Sequence, residues 1–251
     1  MADVRLVPCL SDNYAVLLHA EGETILVDAP EAAPIKAALA QTGWHITRVL
    51  ITHHHSDHAQ ALSEVRGDAK AYGPKAEAGK ITGLDETIAD GATVAFGTLR
   101  MMATATPGHT AGHISYHFPD HHVAFTGDTL FAMGCGRLFE GDPATMWASL
   151  KRLRTLYPDE TDIYCGHEYT HTNARYAHQT LPADKAIEAR LASVEAARAQ
   201  GIPTVPTTMA LEKATNPFMR ADDPTVAAAL GLEGADPVTV FAKLRAGRDK
   251  F

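Results

Sequence analysis

Thr52-His53-His54-His55-Ser56-Asp57-His58 is the stretch on which the reading of this chain turns. It closes the apolar run Arg48 to Thr52, which reads as a strand, so the histidines stand at a strand end where a loop faces solvent. His53 and His55 lie two apart, and in extended chain side chains two apart project to the same side, so both rings can reach one metal ion. Asp57 and His58 can then serve a second. His54 points the other way. Imidazole with carboxylate and no thiolate is the ligand chemistry of catalytic zinc, manganese or iron centres that keep an open position, not of closed structural zinc.

Two ions need further ligands, and three more strand-to-loop junctions supply them: Pro107-Gly108-His109-Thr110, Thr126-Gly127-Asp128-Thr129 and Cys165-Gly166-His167-Glu168. Each sets a ligand beside a glycine, which permits unusual backbone angles and close approach, so the recurrence suggests loops shaped around one centre.

Around these junctions the first two thirds of the chain read as short strands, at Thr24–Asp28, Arg48–Thr52, Leu99–Thr104, His113–Phe118, Val123–Thr126 and Asp162–Cys165. Helical patterns fall between them, one over Pro34–Gln41 ending at Gly43, another opened by Asp142-Pro143 with Met146, Leu150 and Leu153 on one face. Strands alternating with crossover helices imply a layered α/β architecture. After His167 the strand signals stop, and helices are expected at Ala183–Gln200, Thr225–Leu230 and Val238–Ala246, the last two opened by Asp223-Pro224 and Asp236-Pro237. The spacing predicts a boundary near residue 172.

With 251 residues, 45% hydrophobic and 21% charged, the chain is expected to be globular with a sizeable core. Its net charge of −8 disfavours a nucleic-acid partner, and the charge is uneven. Residues 1–172 hold 12 Lys+Arg against 21 Asp+Glu, a balance of −9, whereas residues 173–251 hold 10 against 9, or +1. No segment reaches membrane-spanning length, and the first twenty residues do not read as a signal or transit peptide. Cys9, Cys135 and Cys165 have no C-x-x-C spacing, which speaks against a disulfide framework and for a reducing, cytoplasmic setting. A monomer is the expected form.

T-H-H-H-x-D-H, P-G-H-T-x-G-H, F-T-G-D-T-L-F and G-H-E-Y, in that order, resemble the metallo-β-lactamase superfamily. That resemblance implies a four-layer αββα sandwich with a C-terminal helical domain, split as 1–172 and 173–251. It implies one ion on His53, His55 and His109, a second on Asp57, His58 and His167, and Asp128 bridging both, zinc being the first expectation and iron or manganese the alternatives. Pro8 to Tyr14, Gly134-Cys135-Gly136-Arg137-Leu138-Phe139-Glu140-Gly141, Gly166 to Thr170, Asn216-Pro217-Phe218-Met219-Arg220 and the ending Arg245-Ala246-Gly247-Arg248-Asp249-Lys250-Phe251 are similar to the glyoxalase II family across nearly the whole chain.

The resemblance implies a thioesterase acting on a glutathione thioester. Water activated between the ions would be the nucleophile, with Asp57 and Asp128 as the catalytic carboxylates; Arg137, Phe139, Tyr169, Arg245 and Arg248 would bind substrate. Phe139 stands where many members have tyrosine, and Ala59-Gln60-Ala61 replaces a commoner glycine-rich continuation, so altered affinity is expected. The rival readings are an iron-dependent glutathione persulfide dioxygenase and a non-hydrolytic metal-binding scaffold of the same fold. His19, His45, His121, His122, His171 and His178 match no motif. Asp28 and His113 are expected behind the ligands, because ligating histidines usually donate their other N–H to a carboxylate or carbonyl.

Overall fold

The computed structural model describes residues 2–251. The chain begins as an antiparallel meander, β1 (Asp3–Cys9), β2 (Asn13–Ala20) and β3 (Glu23–Val27). It then crosses through α1 (Ala32–Thr42) to β4 (Arg48–Leu50), and through the short α2 (Ser56–Ala59) and α3 (Leu62–Val65) to β5 (Lys70–Pro74) and β6 (Glu86–Ile88). These six strands form one sheet in sequence order, parallel from β3 onward.

The second sheet follows from β7 (Thr93–Phe96), β8 (Leu99–Ala105), β9 (Ile114–Phe118) and β10 (Val123–Gly127). A two-stranded ribbon, β11 (Leu130–Phe131) with β12 (Gly134–Cys135), precedes α4 (Pro143–Leu156) and β13 (Asp162–Cys165). The remainder is α5 (Thr170–Thr180), α6 (Lys185–Ala199), β14 (Thr207–Thr208), α7 (Met209–Thr215), α8 (Pro224–Ala229) and α9 (Pro237–Arg248). The second sheet has the order β14-β13-β10-β9-β8-β7.

Strand periodicity sorts the layers. Along β2, Tyr14, Val16 and Leu18 face a core shared with Met101, Ile114, Tyr116 and Phe125 of the other sheet. Ala15 and Leu17, on the opposite face, pack with Ile35 of α1 and Leu62 and Val65 of α3. Both faces being buried, β2 is largely apolar and shows no in-out alternation, which is why it escapes the sequence reading. The outer face of the second sheet, through Ala124 and Ile163, meets Met146, Leu150 and Leu153 of α4 together with Phe218, Phe241 and Leu244. The result is the four-layer αββα sandwich, with the later helices packed against the α4 side.

All three Asp-Pro helix starts are present. Asp142 accepts from Thr145 N–H, Asp223 from Thr225, and Asp236 from Val238 and Thr239, each with proline in the first turn. One expectation needs correction. Strand structure does not end at His167, since Thr207–Thr208 pairs antiparallel with Asp162–Ile163; two residues are too short to show a period. The polar run Thr170–Thr180 forms α5, so residue 172 lies inside a helix, one turned inward by Ala174, Tyr176 and Ala177. No helix among the described residues is long and apolar enough to cross a membrane.

Candidate metal centre

The seven residues His53, His55, Asp57, His58, His109, Asp128 and His167 converge at one end of the sandwich, on the segments that follow β4, β8, β10 and β13, Asp57 and His58 within α2. Three overlapping groups form, His53/His55/His109, His53/His58/Asp128 and Asp57/His58/His167, in each of which the potential ligand atoms lie within 4.8 Å of one another. Glycine allows this density. Gly127 has φ 45, and a Cβ on it would lie 2.6 Å from His113 Nε2; a Cβ on Gly166 would lie 2.5 Å from Asp128 Oδ1 and 2.6 Å from His58 Cε1.

The hydrogen bonds behind the rings fix which nitrogen faces the centre. His58 Nδ1 lies 2.8 Å from Asp28 Oδ2, His167 Nδ1 2.8 Å from Asp12 Oδ1, and His109 Nδ1 2.9 Å from the Arg137 carbonyl, all acceptors, so each Nδ1 carries the proton. Thr52 Oγ1 donates to Asp28 Oδ2 at 2.9 Å, leaving its oxygen to accept from His53 Nδ1 at 3.0 Å. Four Nε2 lone pairs therefore point inward. There His58 and His167 Nε2 stand 3.4 Å apart, and His55 Nδ1 lies 3.1 Å from His53 Nε2 and 3.0 Å from His109 Nε2. Facing lone pairs at such distances repel unless a cation lies among them.

Asp128 Oδ1 is buried without a hydrogen bond, and Asn13 Nδ2 orients Asp57 through Oδ2 at 3.0 Å. Burial alone would raise the Asp128 carboxyl, but the His58 and His167 rings beside it outweigh that and hold it well below the ordinary range. Burial likewise works against imidazolium at His58, yet the Asp128 and Asp28 carboxylates push its pKa well above the usual value. His53, buried and facing His58, is held neutral, well below. A field that retains a proton between carboxylates also retains a metal cation, so the donor set fits divalent metal ions.

Asp28 and His113 both stand behind the ligands, by different contacts: His113 Nε2 accepts from the Asp128 backbone N–H at 3.0 Å. Sequence reasoning gave no role to Asp12, Asn13 or Glu77. Asp12 sits in the turn between β1 and β2 and Asn13 opens β2, and no local pattern says that this turn meets His167, 155 residues on from Asp12. Glu77, itself buried, accepts from His54 N–H at 2.7 Å and from Gly112 N–H at 3.0 Å, tying the loop of His53 and His55 to that of His109. His54 thus points away from the centre, its ring 2.9 Å from Glu77 Oε2.

A cleft of about 360 Å³ opens on the ligands and is lined also by Arg137, Phe139, Tyr169, Asn173, Arg245 and Arg248. Phe139 is 64% exposed at its rim, 5.2 Å from the His109 ring and 5.7 Å from His55. Tyr169 stacks on His167 at 4.7 Å. The two arginines of α9 differ. Arg248 is half-buried, its Nε donating to Asn173 Oδ1 at 3.0 Å; burial, then Arg245 and Arg137, lower its pKa, so it stands where an anion would relieve repulsion. Arg245 is buried and engaged, with Nη1 donating to the Cys135 carbonyl at 2.7 Å, Nη2 3.0 Å from Asp249 and the guanidinium 5.2 Å over Phe218.

Residues 10–167 match the family model described as the metallo-beta-lactamase superfamily, and residues 168–251 the model described as the hydroxyacylglutathione hydrolase C-terminus. The structure is similar to that of ETHE1 from Myxococcus xanthus, with a TM-score of 0.66 and 27% identity over 98% of each chain. It shares its fold with the BLEG-1 B3 metallo-beta-lactamase, at a TM-score of 0.66 and 22% identity over 86% of this chain and 99% of that one. The hydroxyacylglutathione hydrolase of Mesorhizobium japonicum is 50% identical over 254 residues, 99% of each chain, and that of Jannaschia sp. is 50% identical over 258 residues, all of each. Fold and ligand cluster together are those of a metallo-β-lactamase-type metal hydrolase. Within that class, the chain belongs to the hydroxyacylglutathione hydrolase family, glyoxalase II.

Proposed function

We propose that this protein hydrolyses S-(2-hydroxyacyl)glutathione, typically S-D-lactoylglutathione, to glutathione and a 2-hydroxy acid, D-lactate in that case, as in the second step of methylglyoxal detoxification. The observation that carries the reading is that one cleft holds both the His/Asp cluster and an outer basic edge, Arg137 and Arg248. A thioester of an anionic tripeptide needs both.

Two divalent ions, zinc first and iron or manganese according to supply, would be held by His53, His55 and His109, by Asp57, His58 and His167, and by Asp128 between them. When bound, such a pair supplies an acidified water as nucleophile and Lewis acidity at the carbonyl oxygen. The chain's own residues orient and exclude. Asn13 aims Asp57, while Asp28 and Asp12 keep the rings of His58 and His167 in the ligating tautomer. Burial raises the Tyr169 phenol, so it stays a neutral hydroxyl donor at the cleft wall. No cysteine replaces water as nucleophile, because burial pushes the Cys135 thiol up to about 11 and that of Cys165 to about 12.

In this reading residues 1–172 carry the chemistry and residues 173–251 grip the tripeptide. Three free buried cysteines suit a cytoplasmic setting. A single-iron dioxygenase would need only two histidines and one carboxylate, which leaves the convergence of the remaining ligands without a purpose.

Purified protein should hydrolyse S-D-lactoylglutathione and hold about two metal ions per chain by elemental analysis. Full activity with one ion per chain would overturn the two-ion reading. Oxygen uptake on glutathione persulfide without thioester hydrolysis would replace it with the dioxygenase.

A further inference from the structure

The ribbon Leu130–Cys135 begins two residues after Asp128 and returns the chain to it: Thr126 Oγ1 donates to the Leu130 carbonyl at 2.8 Å, and Gly136 N–H to that of Thr129 at 3.2 Å. Gly136 lies so close on the Asp128 carbonyl that any side chain would collide with it. The ribbon's tip has little structure of its own, and Met133 sits there at φ 58, a conformation that an L residue adopts only when its surroundings impose it.

What imposes it is the helical layer. The Glu212 carboxylate of α7 accepts from Met133 N–H at 2.7 Å, and Asn216 Nδ2 donates to the carbonyls of Phe131 at 3.2 Å and Gly134 at 2.9 Å. Asn173 holds the Ala132 carbonyl at 3.1 Å and Arg245 that of Cys135 at 2.7 Å. From Phe131 to Cys135, each residue presents a backbone group to a side chain from the last third of the chain.

Glu212 is the keystone of this set. Its side chain is inaccessible to solvent, Oε2 accepting also from Asn216 Nδ2 at 2.9 Å, and Oε1 from Thr207 Oγ1 at 2.7 Å and Arg190 Nη2 at 3.1 Å. Four donors converge on two oxygens, so only a carboxylate satisfies them all. An amide in its place would turn an N–H toward one of the donors.

We propose that Glu212 is a positioning residue for the metal centre: from the helical layer it holds the ribbon that seats Asp128, so the substrate-gripping part of the chain also shapes the metal site. The inference rests on the two-ion reading. It makes the last third of the chain necessary for competent metal binding as well as for recognition.

The test uses the full chain as wild type and as Glu212→Gln, with zinc affinity read by competition against a chelator, kcat and KM on lactoylglutathione, and the visible spectrum of the cobalt-substituted protein. We expect zinc affinity and kcat to fall by roughly 10–100-fold, as for other groups that orient ligands from behind, with KM within a few fold and an altered cobalt spectrum. A folded variant with wild-type zinc affinity, spectrum and kcat would overturn the proposal, as would a rise in KM alone. If Glu212→Gln does not fold because Arg190 is left buried without its partner, the paired variant Arg190→Met/Glu212→Met removes both charges while still freeing Met133 N–H, and the same outcomes apply to it. Should wild type itself bind fewer than two ions, the two-ion reading fails first, whatever Glu212 does.

Discussion

Arg245 and Arg248, three residues apart on α9, look equivalent in the sequence but have different work in the structure. Arg248 keeps donors free toward the cleft, and a contact of this kind stabilises ground and transition states alike. Arg248→Ala should therefore raise KM for lactoylglutathione about tenfold, about 1.4 kcal/mol, with kcat within a few fold and no effect on a small thioester lacking the tripeptide. Arg245→Ala should instead lower the melting temperature by several degrees, since removing the buried guanidinium leaves the Cys135 carbonyl without its donor. Equal KM effects with unchanged melting would reverse that division. Asp28 accepts from Thr52 N–H, Thr52 Oγ1 and the His58 ring, three donors on one carboxylate. Asp28→Asn should weaken metal affinity roughly 10–100-fold in chelator competition while KM stays close to wild type; unaltered affinity would mean that Asp28 only closes the end of β3.

At the scale of elements, β9 carries a pH dependence unrelated to the metal ligands. His117 is buried against Tyr157, ring centres 4.5 Å apart, its Nε2 has no partner, and burial lowers its pKa to about 4. In the unfolded chain the ring titrates near its ordinary value of about 6.5, so between pH 6.5 and 4 the unfolded state binds more protons than the folded one. The stability due to the neutral ring is present above 6.5 and lost as pH falls toward 4, on the order of 3 kcal/mol in all. His117→Phe should flatten that part of the pH–stability curve, measured by denaturant unfolding of metal-stripped wild type and variant so that titration of the ligand histidines cancels. Parallel curves would show that His117 is not the group responsible. Helix starts were legible where an aspartate precedes a proline: Asp142-Pro143, Asp223-Pro224 and Asp236-Pro237 each cap a helix in their own first turn. β2 was not, because burial on both of its faces removes the alternation that marks a strand.

For the whole molecule, the metal centre acts as a clasp. Its ligands come from loops of both sheets, and Asn13 joins the first sheet to His167 of the second by an isolated bridge. Ions that bind only the folded chain stabilise it by mass action, about 2.7 kcal/mol at a free concentration one hundred times Kd. Chelation should therefore lower the melting temperature by roughly 5–10 °C in a chain of this length, reversed on returning zinc. A melting curve indifferent to chelator would mean that the loops are pre-formed without metal and that their ring-to-carboxylate bonds suffice.

By itself the sequence determined the ligand-bearing loops, the α/β layering and the three Asp-Pro helix starts. These depend on neighbours in the chain: histidines two apart on extended backbone, a glycine beside a ligand, an aspartate before a proline. Only the tertiary structure decided which carboxylate stands behind which ring, that Glu77 ties two ligand loops together, and that Arg245 braces the site while Arg248 faces the cleft. Asp12 meets His167 across 155 residues, and Glu212 meets Met133 across 79. Such contacts leave no period in the sequence, because their partners are chosen by how the layers pack and not by what lies a few residues away.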